Sequence, residues 1–234
     1  MNEMELSMTL IENNLKSNLI NAFFECDLKQ LQKDYPSIKE INVSNKAFLY
    51  RQGDRCSDVF WLKSGIVKLS HITEAGIEIT ITILGKGGVL GCLWNNSASP
   101  EVEETVQALG EVDFYRMAKS DFRTLMSHQT ELAWHVFEEI YARKQKIERK
   151  LRAVLTQPVE TRVIATLLEL AEIFGIKCTH GYALEIHLTQ QEVADLVGAS
   201  RSVVSTILND FRNRGILDYT REQICINDAA FINL

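Results

Sequence analysis

Residues 188–217, LTQQEVADLVGASRSVVSTILNDFRNRGIL, decide how the rest of the chain is read. Thr189 can cap a short helix in which Val193, Leu196 and Val197 share one face. Ala194 falls where the two helices of a helix-turn-helix cross closely, and a larger side chain there would force them apart. Gly198 suits the positive φ that ends such a helix. Ser200 then caps a second helix, whose Val204, Ile207, Leu208 and Phe211 lie at i, i+3, i+4 and i+7 and predict a buried stripe. The opposite stripe, Ser202, Ser205, Thr206 and Asn209, has the same spacing and follows Arg201. Short polar side chains let a helix backbone enter the major groove, and an arginine can pair bidentately with guanine. Thr189, Ser200, Arg201, Ser202, Ser205, Thr206 and Asn209 are therefore the candidate DNA contacts. A two-helix hairpin with a merely solvated outer face shares part of this pattern. The coincidence of Ala194, Gly198, Val204 and the serine-threonine face at fixed offsets favours the DNA-reading interpretation. Gly215 ends the second helix, and ILDYTREQICIN predicts two short strands around residues 220–223, the composition of a wing.

Upstream, VETRVIATLLELAEIF predicts a helix from Pro158 to Gly175, which is placed as its C′ residue. IKCTHGYALEIHL predicts a hairpin turning at His180-Gly181, with Leu184, Ile186 and Leu188 alternating inward. Before Pro158 an apolar stripe of Phe122, Leu125, Leu132, Val136, Ile140, Ile147, Leu151 and Val154 recurs at steps of 3, 4 or 7. It predicts one long helix over 121–155, N-capped by Ser120 or Asp121. A seam against a second copy of that helix explains so long a stripe better than packing on the chain's own core does. Gln157-Pro158 interrupts the pattern and marks a hinge.

From residue 41 to 117 the pattern is β, with short apolar runs punctuated by glycine. Ile77, Ile79, Ile81 and Ile83 alternate with Glu78, Thr80 and Thr82, predicting a buried isoleucine face and an exposed polar one. Glu74-Ala75-Gly76 reads as a hairpin turn.

The bulk numbers suit this division. With 234 residues the chain can hold two small domains, and 46% hydrophobic with 24% charged residues is ordinary for a globular protein. No apolar run reaches the roughly 18 residues that would span a bilayer, so no membrane partner is expected. Residues 1–20 lack a basic n-region and a continuous apolar core, so no secretory signal is expected. Five scattered cysteines without a CxxC pair suit reduced thiols in a cytoplasm. No nucleophile–base pair, metal-spaced histidines or phosphate loop is present, so neither enzymatic activity nor a metal or cofactor is expected. The net charge of −6 works against a nucleic-acid partner unless the cations are concentrated. They are concentrated in YARKQKIERKLR (141–152), which has 6 basic residues to 1 acidic. Over 153–234 the count is 6 to 10, which leaves Arg201, Arg212, Arg214 and Arg221 to face DNA.

On these residues the chain is identified as resembling the Crp/Fnr superfamily of bacterial transcription regulators, over roughly residues 40–232. The resemblance rests on the glycines Gly53, Gly65, Gly76, Gly88 and Gly91, the long helix and the winged helix-turn-helix in that order. It implies an α+β fold: an N-terminal β-roll of the cyclic-nucleotide-binding type, a long dimerisation helix and a C-terminal winged helix-turn-helix. The expected divisions are 1–119, 120–156 and 157–234. Implied partners are double-stranded DNA with a palindromic operator, a second copy of the chain as homodimer, RNA polymerase and a small-molecule effector of unknown identity.

Departures from the family pattern bear on that effector. Cyclic-nucleotide binders carry Gly-Glu-Leu in a phosphate-binding turn and, about ten residues later, Arg-Ser or Arg-Thr. The turn here is Gly91-Cys92-Leu93, and Glu103-Glu104-Thr105 stands in the later segment, placing like charge at a phosphate site. VKLSHITEAGIEITITIL is similar to the nitrogen-control branch, which senses 2-oxoglutarate. Arg143 with Glu148 matches the helix part of that pattern, while the β-roll arginine is absent. A haem ligand at Cys92 and a thiol switch at Cys92 are further readings; the lone Cys26 does not match an Fnr-type iron–sulfur cluster. Gly91, Cys92, Leu93, Arg143 and Glu148 are the effector-pocket candidates. At the family's DNA-reading positions stand Arg201, Ser202 and Thr206, so the half-site differs from the best-known consensus sequences. A ligand-binding subunit with a degenerate DNA domain is the alternative class.

Overall fold

The computed structural model describes residues 23, 24, 27–91, 93, 101–178, 181–184, 186, 188–219 and 224–227, apart from the side chain of residue 172. A short helix, α1 (Leu28–Asp34), is capped by the Asp27 carboxylate and leads into eight strands. These are β1 (Lys39–Val43), β2 (Phe48–Tyr50), β3 (Asp58–Ser64), β4 (Val67–Ile72), β5 (Glu78–Leu84), β6 (Val89–Gly91), β7 (Thr105–Ala108) and β8 (Val112–Ala118). They form two four-stranded antiparallel sheets, ordered β1-β8-β3-β6 and β2-β7-β4-β5. Leu62, Val67, Val106, Val112 and Phe114 fill the space between them. A second cluster builds on the aromatic residues Phe23, Phe24, Trp61, Tyr115 and Phe122. The Trp61 indole there donates to the Gly87 carbonyl at 3.0 Å, so burying its ring leaves no polar atom unsatisfied.

The β5 expectation holds only for exposed Glu78 and buried Ile83. Thr80 and Thr82 are buried, whereas Ile77 is 62% and Ile79 40% exposed. A register shift opposite Leu69/Ser70 breaks the alternation of faces. Only Ile83 of the series is buried, in the core of the C-terminal domain. The turn at 74–76 forms as expected, with Gly76 at φ 76°.

The long-helix expectation needs two corrections. The segment is two helices, α2 (Lys119–His128) and α3 (Thr130–Thr156), broken at Gln129. Ala118 holds the N-cap position of α2 with no side-chain cap, because Asp121 accepts instead from the backbone and hydroxyl of Ser37. The expected stripe also divides. Phe122, Leu125, Leu132 and Val136 pack into the chain's own aromatic cluster. Beyond them a different face is bare: Trp134, Phe137, Tyr141, Leu151 and Leu155 are exposed at heptad spacing, flanked by Ile140, Ile147 and Val154.

Gln157 is extended before Pro158, and α4 (Val159–Phe174) follows. Gly175 is extended rather than left-handed, correcting its placement as a C′ glycine; it opens β9 (Gly175–Cys178). β9 pairs with β10 (Gly181–Leu184) so that Gly181 faces Cys178, which puts the link at 179–180, outside the described residues. Leu184, Ile186 and Leu188 are buried as expected. Next come α5 (Gln190–Val197), α6 (Arg201–Asn213), β11 (Leu217–Tyr219) and β12 (Ile224–Asn227), the strands forming a sheet ordered β11-β12-β10-β9. The expected wing strands are therefore present, while their tip at 220–223 lies outside the described residues.

Candidate nucleic-acid interface and effector pocket

The helix-turn-helix is assembled by local chemistry. Thr189 and Glu192 form a reciprocal capping box that starts α5. Gly198 ends it at φ 65°, and a Cβ at that position would lie 2.8 Å from Val154 Cγ2 of α3. Ser200 caps α6 by accepting from the Val203 N–H at 3.4 Å. Val193, Ala194, Leu196 and Val197 of α5 and Val204, Leu208 and Phe211 of α6 are buried together. That packing turns the other face of α6 outward: Arg201, Ser202, Thr206 and Asn209 are exposed and Ser205 is half-buried. Thr206 spends its hydroxyl on the Ser202 carbonyl at 3.0 Å. Val203, 42% exposed, shares the outer surface, a neighbour that periodicity alone assigned to neither stripe.

The arginines differ in how far they are engaged. Arg212 pairs with Asp218 at 3.2 Å. Arg214 pairs with Glu160 and Asp210 and lies over the Phe211 ring. Arg201 has no ion pair among the described residues, and Arg221 lies outside them. Part of the basic run 143–152 is engaged within the chain. Lys144 pairs with Glu148 at 2.6 Å, Lys146 with Glu169 of α4 at 3.2 Å, and Lys150 donates to the Ile81 carbonyl of β5 at 3.3 Å.

α5 also docks on the β-roll. Lys68 of β4, buried, pairs with Glu192 at 2.9 Å and Glu78 at 3.2 Å. Burial alone would lower the Lys68 pKa, but the hydrogen bond and charge of Glu192, with Glu78, outweigh it and hold the ammonium above its ordinary range. The Thr80 N–H donates to Asp195 at 3.2 Å. Sequence reading missed this contact, because no local signal pairs residues more than 110 positions apart.

The expected effector residues are not gathered into one site. Gly91 takes φ 84° and donates its N–H to the Tyr50 hydroxyl; a Cβ would meet the Asp58 carbonyl oxygen at 2.5 Å. Leu93 packs against the aromatic cluster, and Cys92 lies outside the described residues. Arg143 donates to the Val89 carbonyl of β6 at 3.3 Å, while Glu148 is turned to Lys144 on the exposed seam. Glu104 accepts from the Tyr50 hydroxyl at 2.9 Å. Burial first, and then the Glu104 charge, push the Tyr50 phenol well above its ordinary range. Among the described residues no cluster of histidine, cysteine and carboxylate side chains could hold a metal, and no helix is long and apolar enough to cross a membrane.

Comparison with known proteins fits this architecture. Residues 40–129 match the cyclic nucleotide-binding domain family and residues 161–231 the Crp-like helix-turn-helix domain family. The chain belongs to the Crp/Fnr superfamily of transcription regulators, with a DNA-binding helix-turn-helix behind a β-roll. It is 25% identical over 201 residues to the global nitrogen regulator of Nostoc sp., covering 85% of this chain and 89% of that protein. It is 27% identical over 193 residues to the cAMP-activated global transcriptional regulator Vfr of Pseudomonas aeruginosa, covering 81% and 90%. Its fold resembles that of the c-di-GMP-responsive global regulator CLP of Xanthomonas campestris, with a TM-score of 0.71 at 17% identity over 86% of this chain and 99% of that one.

Proposed function

We propose that the chain acts as a cytoplasmic homodimer that reads a palindromic duplex with α6 and is not switched by a cyclic nucleotide. The observation that carries the reading is the outer face of α6, where the exposed Arg201 stands uncommitted beside Ser202, Thr206 and Asn209. Arg201 would reach a guanine edge, Ser205, Thr206 and Asn209 would line the groove, and Thr189 and Ser200, at helix N-termini, would meet phosphates. The bare heptad face of α3 supports the dimer, because water is a poor neighbour for Trp134, Phe137, Leu151 and Leu155. Two such domains would enter successive major grooves about 34 Å apart. RNA polymerase is the further partner this role implies.

Two observations disfavour the family's cyclic-nucleotide switch. Glu104 stands in the segment where the resemblance would put a phosphate-pairing arginine, and it is bonded to Tyr50. No guanidinium is held beside that pair among the described residues. The Arg143–Glu148 pattern of the nitrogen branch is also weakened, since the two side chains take separate partners.

Selection of bound duplexes from a random pool tests the reading. A two-fold symmetric motif with half-sites one helical turn apart is expected, unchanged by added cAMP. Enrichment of no symmetric motif overturns the dimeric reader, and a cAMP-dependent motif overturns the effector reading.

A further inference from the structure

A large cavity among the described residues lies outside the interior of the β-roll. It opens between three elements that meet at the Pro158 hinge: the C-terminal half of α3, the inner side of α4 and the middle of β5, with a volume of about 750 Å3. Small-molecule sites commonly measure about 300–1,000 Å3 and favour domain junctions. Its charge is one-sided. Lys146, Arg149, Lys150, Arg152 and Arg162 line it against a single carboxylate, Glu169, which is already paired with Lys146. Its apolar wall is built by Ile81, Ile147, Leu170 and Leu196.

Two of the cations there make no ion pair among the described residues. Arg162 is only 9% exposed, and its Nη1 donates to the carbonyls of Val197 and Gly198 at 2.7 and 3.2 Å. Its Nε is buried with no hydrogen-bond partner. A buried guanidinium N–H left unmade is costly, which sets Arg162 apart from an ordinary surface arginine. Lys150, half-buried, has one neutral bond to the Ile81 carbonyl. Burial holds its pKa below the ordinary lysine value, although the Asp195 charge works the other way.

We propose that this hinge cavity binds an organic anion with an apolar body, its carboxylate or phosphate oxygens accepting from Arg162 and Lys150 and its body lying on the Ile81–Leu196 wall. This site is separate from the β-roll turn at Gly91; it shares Ile147 and Val154 with the flank of the bare α3 face, and its occupancy does not depend on DNA. Its position gives it a means of control. The guanidinium that would meet the anion also clamps the carbonyl end of α5, which fixes the turn into α6.

Isothermal titration of the full-length protein, without DNA, tests the site with two anionic probes, decanoate and 1-naphthyl phosphate. Decanol and 1-naphthol serve as their uncharged counterparts. At least one anion should bind saturably, one per chain, and about tenfold or more tighter than its uncharged counterpart. Which anion binds separates a carboxylate source from a phosphate source. Lys150→Gln should weaken that binding about tenfold, and Ala153→Trp, which fills the cavity, should abolish it. Should Ala153→Trp fail to fold, Lys150→Gln alone decides. The site is overturned if neither anion binds, if the uncharged compounds bind as well, or if Lys150→Gln leaves affinity unchanged. Because DNA is absent, failure here leaves the duplex-selection result standing, and the reverse also holds.

Discussion

Lys68 and Glu192 lie 124 positions apart in sequence and form an ion pair of 2.9 Å that joins the β-roll to the first helix of the helix-turn-helix. Glu192 has a second duty in the capping box with Thr189, so one carboxylate serves both helix start and domain docking. Lys68→Met should leave that carboxylate without its cation and cost about 1–3 kcal/mol in urea unfolding. A double-mutant cycle with Glu192→Gln should give a coupling of about 0.5–3 kcal/mol. Zero coupling would mean that the pair does not hold the domains together.

The same cluster predicts a pH dependence. Burial by itself would raise the Glu78 pKa, but Ser70 and the Lys68 ammonium outweigh it and hold the carboxyl below 4.5. A lowered folded-state pKa means that the stabilisation is complete above pH 4.5 and is lost as pH falls through the folded value. The melting temperatures of the native protein and Glu78→Gln should therefore differ at neutral pH and converge in acid. A gap that persists unchanged into acid would assign the effect to packing.

Arg201→Ala should cost about 1–3 kcal/mol at one base pair per half-site and relax specificity there. Competition titrations with single-base variants of the selected site measure it. A loss that is equal for every sequence would make Arg201 a phosphate contact instead.

For the α3 seam, Leu151→Glu places a charge where an apolar heptad residue would meet its copy. Sedimentation should then report a monomer, and affinity for the symmetric duplex should fall to that of one half-site. A variant that remains dimeric shows the seam to be elsewhere.

Gly198→Ala forces a left-handed φ on a residue with a Cβ, which costs about 1–2 kcal/mol, and sets that Cβ against Val154. Chemical denaturation should show the loss, and Val154→Ala should recover the steric part only.

The helix-turn-helix was legible because its determinants are local. Thr189, Gly198, Ser200 and Gly215 act on their own backbone within one turn, and the stripe Val204–Leu208–Phe211 follows from helical periodicity. Elsewhere periodicity named the apolar residues without naming what each would pack against. β5 shows this most clearly: a register shift in pairing with β4, not the isoleucine alternation, set which side chains were buried.

By itself, then, the sequence determined the order of the β-roll, helical and winged segments, the caps of α5 and α6 and the polar outer face of α6. Tertiary structure alone decided that Leu132 and Val136 turn inward while Trp134, Phe137 and Tyr141 stay bare. It also set Lys68 against Glu192 and collected Lys150 and Arg162 around one cavity. The physical reason is range. Capping and periodicity act across a few residues, whereas burial and the pairing of charges depend on whichever distant segment the fold brings alongside.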